Sequence, residues 1–402
     1  MNYENFRRVE ERAFYALVGV LGLIVLLGAG AWHYMEEHGH IVTGMSNQIV
    51  WGVPHVFAIF LIVAASGVLN IASIGSVFGK TVYKARAPLS GLLALAMLGG
   101  GLAVLMLDLG RSDRLIIAAT HFNATSIFAW NIILYSGFFG IVAAYLWTMM
   151  DRRMKGYSRY AGFSAFIWRL ILTTGTGSIF GFLVARQAYD SALLAPMFIV
   201  MSFSYGLAVF LVAQSVMYRW NGLTLDAAIL RRMKNLLAVF VSAVLYFTLV
   251  YHLTNLYFAK QIDFERFILL DGGIYTTLFW LGQVVIGSLI PLAILFHPQW
   301  GMRSGAVFSS ALMIIFGGFC QLYVFIIGGQ AFPLNLFPGM EATSSFFDGR
   351  MAHPYAPSLP EFLLGLGGIG IAALIAVVAV RILKFLPQDD FSHLAKAEDL
   401  TD

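Results

Sequence analysis

The chain has 402 residues, of which 59% are hydrophobic and only 11% charged, with a formal net charge of +4; its mean hydropathy is +0.79. A soluble domain carries about 25% charged residues, so this chain has too little charge to clothe a water-facing surface, and its small positive excess offers no footprint for nucleic acid. Its single cysteine, Cys320, excludes intrachain disulfides, iron–sulfur clusters ligated by the chain and c-type haem attachment.

Arg7, Arg8 and Arg12 precede an apolar run at 13–34 that contains Ala29-Gly30-Ala31. The pattern resembles a signal peptide, but the run exceeds the 7–15 residues of such a core and is read as a retained first helix. Further apolar stretches follow at 52–77, 88–108, 125–150, 164–188, 193–218, 235–259, 272–297, 304–328 and 360–385. Each approaches or exceeds the ~20 residues a crossing needs. Backbone polar groups cannot stay unpaired in lipid, so each stretch is expected to be a helix. The expectation is an all-α, polytopic membrane protein with about ten transmembrane helices, forming one integral membrane domain over 1–402. Within it, 52–188 and 193–328 are expected to form two four-helix bundles, flanked by 13–34 and 360–385. A proline-rich loop at 329–359 and a tail at 386–402 complete the chain. Glycine clusters such as Gly99, Gly100 and Gly101 are read as close helix packing.

Orientation follows from lysine and arginine. One side collects Arg7, Arg8 and Arg12, then Lys80, Lys84 and Arg86, then Arg152, Arg153, Lys155 and Arg159, then Arg219, Arg231, Arg232 and Lys234. The opposite side holds only Arg111, Arg114, Arg186, Lys260, Arg266 and Arg350. Both termini are therefore expected in the cytoplasm of a bacterial or archaeal cell, with 329–359 outside.

Intramembrane polar residues are costly and need an explanation. Near the expected outer face, the second span opens with Trp51-Gly52-Val53-Pro54-His55 and the third closes on Asp108, followed by Arg111 and Arg114. His121 and Asn123 lie in the next loop, the fourth span opens with Ser126, Trp130 and Asn131, and the fifth closes with Arg186, Gln187, Tyr189 and Asp190. Pro54 is a favoured helix-start residue. The positive end of the helix dipole beside it opposes imidazolium, and a neutral ring can donate or accept a hydrogen bond. A carboxylate closing a helix opposes the dipole in turn, and Arg111 is the expected partner of Asp108. Deeper in the later spans lie Gln214, His252, Asn255, Gln283, Gln321 and Gln330, read as interhelical hydrogen bonding or as a proton or water path. His55 and His252 form one candidate pair for haem, where a b-type cytochrome often needs two, so no haem is expected.

The segment Leu107-Asp108-Leu109-Gly110-Arg111-Ser112-Asp113-Arg114, followed by Asn123, Ser126 and Trp130, resembles the signature of the NrfD/polysulfide-reductase (PsrC) membrane-subunit family. In that family the motif usually reads Asp-Leu-Gly-Arg-Pro; here Ser112 replaces the proline. Gly328-Gly329-Gln330-Ala331-Phe332-Pro333 resembles the family's segment after its penultimate helix. The stretch 54–80, with Leu89-Ser90-Gly91-Leu92, looks closest to the DsrP branch, found in the Dsr membrane complex of dissimilatory sulfur metabolism. The resemblance implies a quinone site (menaquinone or ubiquinone) near the outer face, a periplasmic ferredoxin-like iron–sulfur subunit as partner, and further membrane and cytochrome subunits. It also implies that a histidine, an asparagine and a tyrosine contact the quinone; His55 matches the histidine by position, and Tyr189 approximately matches the tyrosine.

Together these readings give His55 and Asp108 as the reactive pair. Trp51, Asn123, Trp130, Arg186 and Tyr189 are expected around the quinone, with Arg111, His121 and Asp190 joining Asp108 in proton transfer and no metal held by the chain. The chain is expected to act as a quinone-reactive subunit of an oxidoreductase rather than as an enzyme alone. A secondary transporter or ion pathway, and a structural anchor without its own quinone site, are the readings it competes with.

Overall fold

The computed structural model describes residues 3–4, 11–333, 343–344, 347–348 and 355–387. Arg7, Arg8, Arg350, much of the expected loop at 329–359 and the tail beyond 387 lie outside the described residues. The described chain is built on ten long helices: α1 Glu11–His38, α2 Val53–Ser76, α3 Ala87–Leu107, α4 Ile127–Met150, α5 Ser158–Gly181, α6 Leu194–Trp220, α7 Ala227–Tyr257, α8 Ile274–Phe296, α9 Ser304–Ala331 and α10 Leu359–Ile382. Among the described residues, nine of these are long and apolar enough to cross a membrane. The remaining helix, α5, has 24 residues but carries Arg159, Arg169, Thr173, Thr174 and Thr176, which dilute its hydropathy. The protein is an all-α, multi-pass membrane protein.

Caps move the helix ends away from the apolar boundaries. α7 starts at Ala227 rather than near 235, because the Asp226 side chain accepts hydrogen bonds from the backbone of Ala228 and Ile229; Asp is a preferred N-cap. Arg231, Arg232 and Lys234 therefore ride on the first turns of the helix. The fifth span ends at Gly181 rather than 188. Beyond it Leu183 bonds back to Phe180 and Arg186 to Leu183 in successive turns, so Phe182 and Val184 are exposed although apolar.

α2 is the hub. Of its most apolar window 94% is buried, against 11% for α1, and it packs on α3, α5, α6, α9 and α10. α1 lies chiefly along α10. Where α2 crosses α6, Gly67 and Gly206 meet back to back, and a methyl group on Gly67 would overlap the Ser202 carbonyl. Small residues of this kind let membrane helices touch through their backbones. α6 in turn packs on α5, α7 and α9. At the chain ends, Tyr3–Glu4 pairs antiparallel with Leu386–Pro387, and the Tyr218 hydroxyl donates to the Pro387 carbonyl at 2.7 Å. Both tails thus lie on one face of the bundle, as an even number of crossings requires.

Candidate functional site

Elements α2 to α5 enclose a cavity of about 420 Å3 near the ends of the helices opposite the tails. Its wall is apolar over most of its area: Ile59 from α2, Leu102 and Leu105 from α3, Phe128 and Ile132 from α4, and Ile179 and Phe180 from α5, with Ile326 of α9 behind. Met106 and Phe128 line the cavity yet are 44% and 47% exposed, so its mouth opens sideways, between α3 and α4, toward the surrounding lipid.

One polar edge of the cavity is set by the start of α2 and the end of α3. Gly52 caps α2 and Pro54 stands in its first turn, which turns His55 into the cavity. Val53 N–H donates to the Tyr355 hydroxyl at 2.8 Å, and that hydroxyl donates to Glu361 at 2.7 Å. The entrance to α2 is thereby tied to α10. Burial, together with the Glu361 charge, raises the pKa of Tyr355 and keeps this donor protonated. Asp108 caps the end of α3, its N–H reaching the carbonyls of Val104 and Met106. His55 Nδ1 lies 2.7 Å from Asp108 Oδ2. The contact is of ion-pair length but is not aligned as a hydrogen bond, and Oδ1 is buried without a hydrogen-bond partner among the described residues. The His55 side chain is 16% exposed and that of Asp108 only 1%, so the histidine faces the hollow and the carboxylate stands behind it. No described residue hydrogen-bonds to His55 Nε2. Trp51 stacks on His55 with 6.0 Å between ring centroids.

The second polar edge comes from α4. Asn131 Nδ2 donates to the carbonyls of Ile127 at 2.9 Å and Gly175 at 3.1 Å. Its Oδ1 is buried with no partner among the described residues. One turn on, the buried Tyr135 also lines the cavity. A hydrogen-bonding pair on each side of an apolar slot can hold a flat molecule with two oxygens, one toward His55 and one toward Asn131.

Residues 41–334 match the family model described as "Polysulphide reductase, NrfD". The chain belongs to the NrfD family. Among its relatives, an Hdr-like menaquinol oxidoreductase integral membrane subunit of Archaeoglobus fulgidus is 29% identical, over 95% of this chain and 97% of that one. A putative membrane subunit of dimethyl sulfoxide reductase, from Halobacterium salinarum, is 27% identical, over 91% and 90%. A selenate reductase subunit of Mesobacillus selenatarsenatis is 23% identical, over 95% and 94%.

In this NrfD-family chain, His55, Asp108 and Trp51 meet at the cavity, while the other residues expected there lie elsewhere. Trp130 is 45% exposed and donates from Nε1 to the Ala124 carbonyl at 2.6 Å. Its neighbours Phe128, Asn131 and Ile132 face the cavity instead, since one residue along a helix turns a side chain by about 100°. Asn123 accepts from the Thr125 N–H and hydroxyl, ordering the turn before α4. Arg111 pairs with Asp113 at 2.8 Å, both being exposed, and not with Asp108; the turn after α3 carries it out to solvent. His121 is exposed beside Thr120. Asp190 meets Lys260 at 3.3 Å.

Arg186 and Tyr189 brace the cavity from behind. Arg186 donates to the carbonyls of Gln330 at 3.0 Å and Gln48 at 2.6 Å, and burial pulls its pKa below the ordinary guanidinium value, opposed by Tyr189. Tyr189 donates to the Ile326 carbonyl at 2.8 Å. Gln330 accepts from Trp51 N–H at 3.0 Å and donates to the Trp51 carbonyl at 3.0 Å, so the end of α9 fixes the tryptophan that stacks on His55. Asn131 and Tyr135 were legible as a polar pair at one-turn spacing on α4 with Phe128 and Ile132.

Proposed function

We propose that this chain is the quinone-reactive membrane subunit of a multi-subunit oxidoreductase, exchanging electrons between the membrane quinone pool and an iron–sulfur subunit docked on the outer face. One observation carries the reading: a histidine 2.7 Å from a buried carboxylate, at the edge of an apolar cavity of about 420 Å3 that opens to lipid. Pockets for small molecules run from about 300 to 1,000 Å3, apolar with a few converging polar groups. A quinone, when bound, supplies the two-electron, two-proton chemistry. His55 binds one of its oxygens through Nε2 and exchanges a proton there, within the hydrogen-bond reach that such transfer requires. Asp108 orients the imidazole and moves the proton outward. Asn131 Oδ1 would accept from the quinol's other hydroxyl, the Tyr135 hydroxyl would donate to that oxygen in the quinone, and Trp51 holds the histidine ring. With one cysteine in the chain, the electrons pass to clusters of a partner.

The name of the Archaeoglobus relative, a menaquinol oxidoreductase subunit, supports a quinol as the substrate, with menaquinone or ubiquinone as the pool. The lysine and arginine bias supports a cytoplasmic membrane with both termini inside and the cavity near the periplasmic side. In this reading α2–α5 form the quinone-handling bundle and α6–α9 the second. The stretch 54–80, which resembles the DsrP branch, supports a place in dissimilatory sulfur metabolism.

The test is His55→Ala in the whole complex. Quinol-dependent electron transfer is expected to fall by roughly 10²- to 10⁴-fold, the scale of a positioned proton acceptor, with subunit assembly intact. Undiminished turnover would remove His55 from the chemistry.

A further inference from the structure

Below the cavity, a polar seam runs along the α2–α5 contact toward the opposite face. On α2, Ser66, Asn70, Ser73 and Ser76 recur at the spacing of one helix face; on α5, Thr176, Thr173, Arg169 and Gly162 do the same. Next to the cavity, Thr176 is buried and its hydroxyl donates to the Leu172 carbonyl at 3.0 Å. The hydroxyls of Thr173 and Ser66 meet at 2.6 Å, and Ser66 also reaches the Arg169 carbonyl at 3.2 Å. Further in, Asn70 is buried with Nδ2 unpartnered among the described residues, Ser73 is buried, and Ser76 bonds to the Tyr145 hydroxyl beside Gly162. Hydroxyls both donate and accept, so such a row can pass protons in either direction.

Arg169 interrupts it. The residue stands near the middle of the 24-residue α5, about 16 Å from its inner end by helical rise, and is only 2% exposed. Its Nη1 donates to the Ser66 carbonyl at 3.3 Å and its Nε has no partner among the described residues. The Phe166 and Phe203 rings each lie 5.1 Å from its guanidinium carbon. No carboxylate pairs with it among the described residues. A guanidinium has five donors and no acceptor, so a proton relayed along the seam meets a positive charge and no base. Fixed arginine charges exclude protons from other membrane pores by the same electrostatics.

We propose that Arg169 is an electrostatic plug that closes the α2–α5 seam to protons. On the functional reading above, protons leaving the cavity would then exit past Asp108 and not through the bundle. The plug itself does not depend on what occupies the cavity.

The full-length chain, reconstituted in liposomes with a trapped pH-sensitive dye, tests it in the absence of any quinol. A pH step is applied with potassium and valinomycin providing charge compensation. Arg169→Gln is expected to raise proton entry roughly tenfold, the scale of removing one unit charge about 10 Å from the path in a medium of effective dielectric about 20. Arg169→Lys is expected to stay tight. Adding Ser66→Val and Thr173→Val to Arg169→Gln is expected to restore tightness by drying the seam. Should Arg169→Gln not fold, Thr173→Asp supplies a counter-charge with the arginine in place and is expected to leak as well. Folded neutralising variants as proton-tight as the parent chain would overturn the plug. So would equal leakage of sodium, which would mark a packing breach. Because no quinol is present, failure here leaves the His55 reading standing, and loss of His55 chemistry leaves this one standing.

Discussion

Among the described residues, two partly buried histidines meet buried carboxylates at nearly equal distance, His55–Asp108 at 2.7 Å and His252–Glu265 at 2.6 Å. They differ in what surrounds them. Glu265 has both oxygens engaged, one by His252 and the other by Asn255 Nδ2 at 2.7 Å. The space beside them is about 30 Å3, room for water but not for a ring. Asp108 keeps one oxygen without a partner among the described residues, and its histidine borders a cavity of about 420 Å3. The second pair is satisfied and has little space beside it, a clasp between α7 and the turn at 262–266. The first is left incomplete beside a space large enough for a ligand. Residue type does not separate them; the unfilled hydrogen bond and the adjoining volume do.

Substitutions can break or sharpen that contrast. The largest effect on turnover after His55→Ala is expected from Asp108→Asn, which keeps the shape but cannot take a proton. Quinol-dependent turnover of the complex should drop by roughly 10²-fold with little change in melting temperature; full turnover would make the first pair as structural as the second. Glu265→Leu should behave in the opposite sense. Leaving the buried, hydrogen-bonded cluster without its carboxylate is expected to lower stability by about 3 kcal/mol, read as thermal unfolding in detergent, while folded protein turns over within about twofold of the parent. A large loss of turnover without destabilisation would give His252 and Glu265 a chemical role. The smallest effect is expected at Arg111→Ala. That side chain pairs at the surface with Asp113, which its hydrogen bond holds below the ordinary carboxylate pKa, and neither turnover nor melting temperature should move measurably; a marked loss of turnover would return Arg111 to the service of Asp108.

The fold was legible because lipid imposes one rule on every crossing: long apolar stretches with satisfied backbones. The rule falters at α5, whose Arg169, Thr173 and Thr176 are tolerated because neighbouring helices cover them, and at helix ends, where Asp226 and the turns after Gly181 decide instead. The site was legible where local chemistry is strong. Pro54 marked the turn that presents His55, and Asp108 stood out as a charge closing a helix. Periodicity along α4 was the missing step, since Trp130 drew attention away from Asn131 one position on. The tertiary braces at Arg186, Tyr189 and Gln330 join residues far apart in the chain, and no spacing rule exposes such contacts.

The sideways mouth between Met106 and Phe128 has a consequence for how any occupant is measured. A molecule that reaches the cavity without leaving the hydrocarbon is counted per lipid, not per litre. Adding empty lipid to a fixed sample of proteoliposomes would then dilute such an occupant as effectively as removing it, while added water would leave its occupancy unchanged.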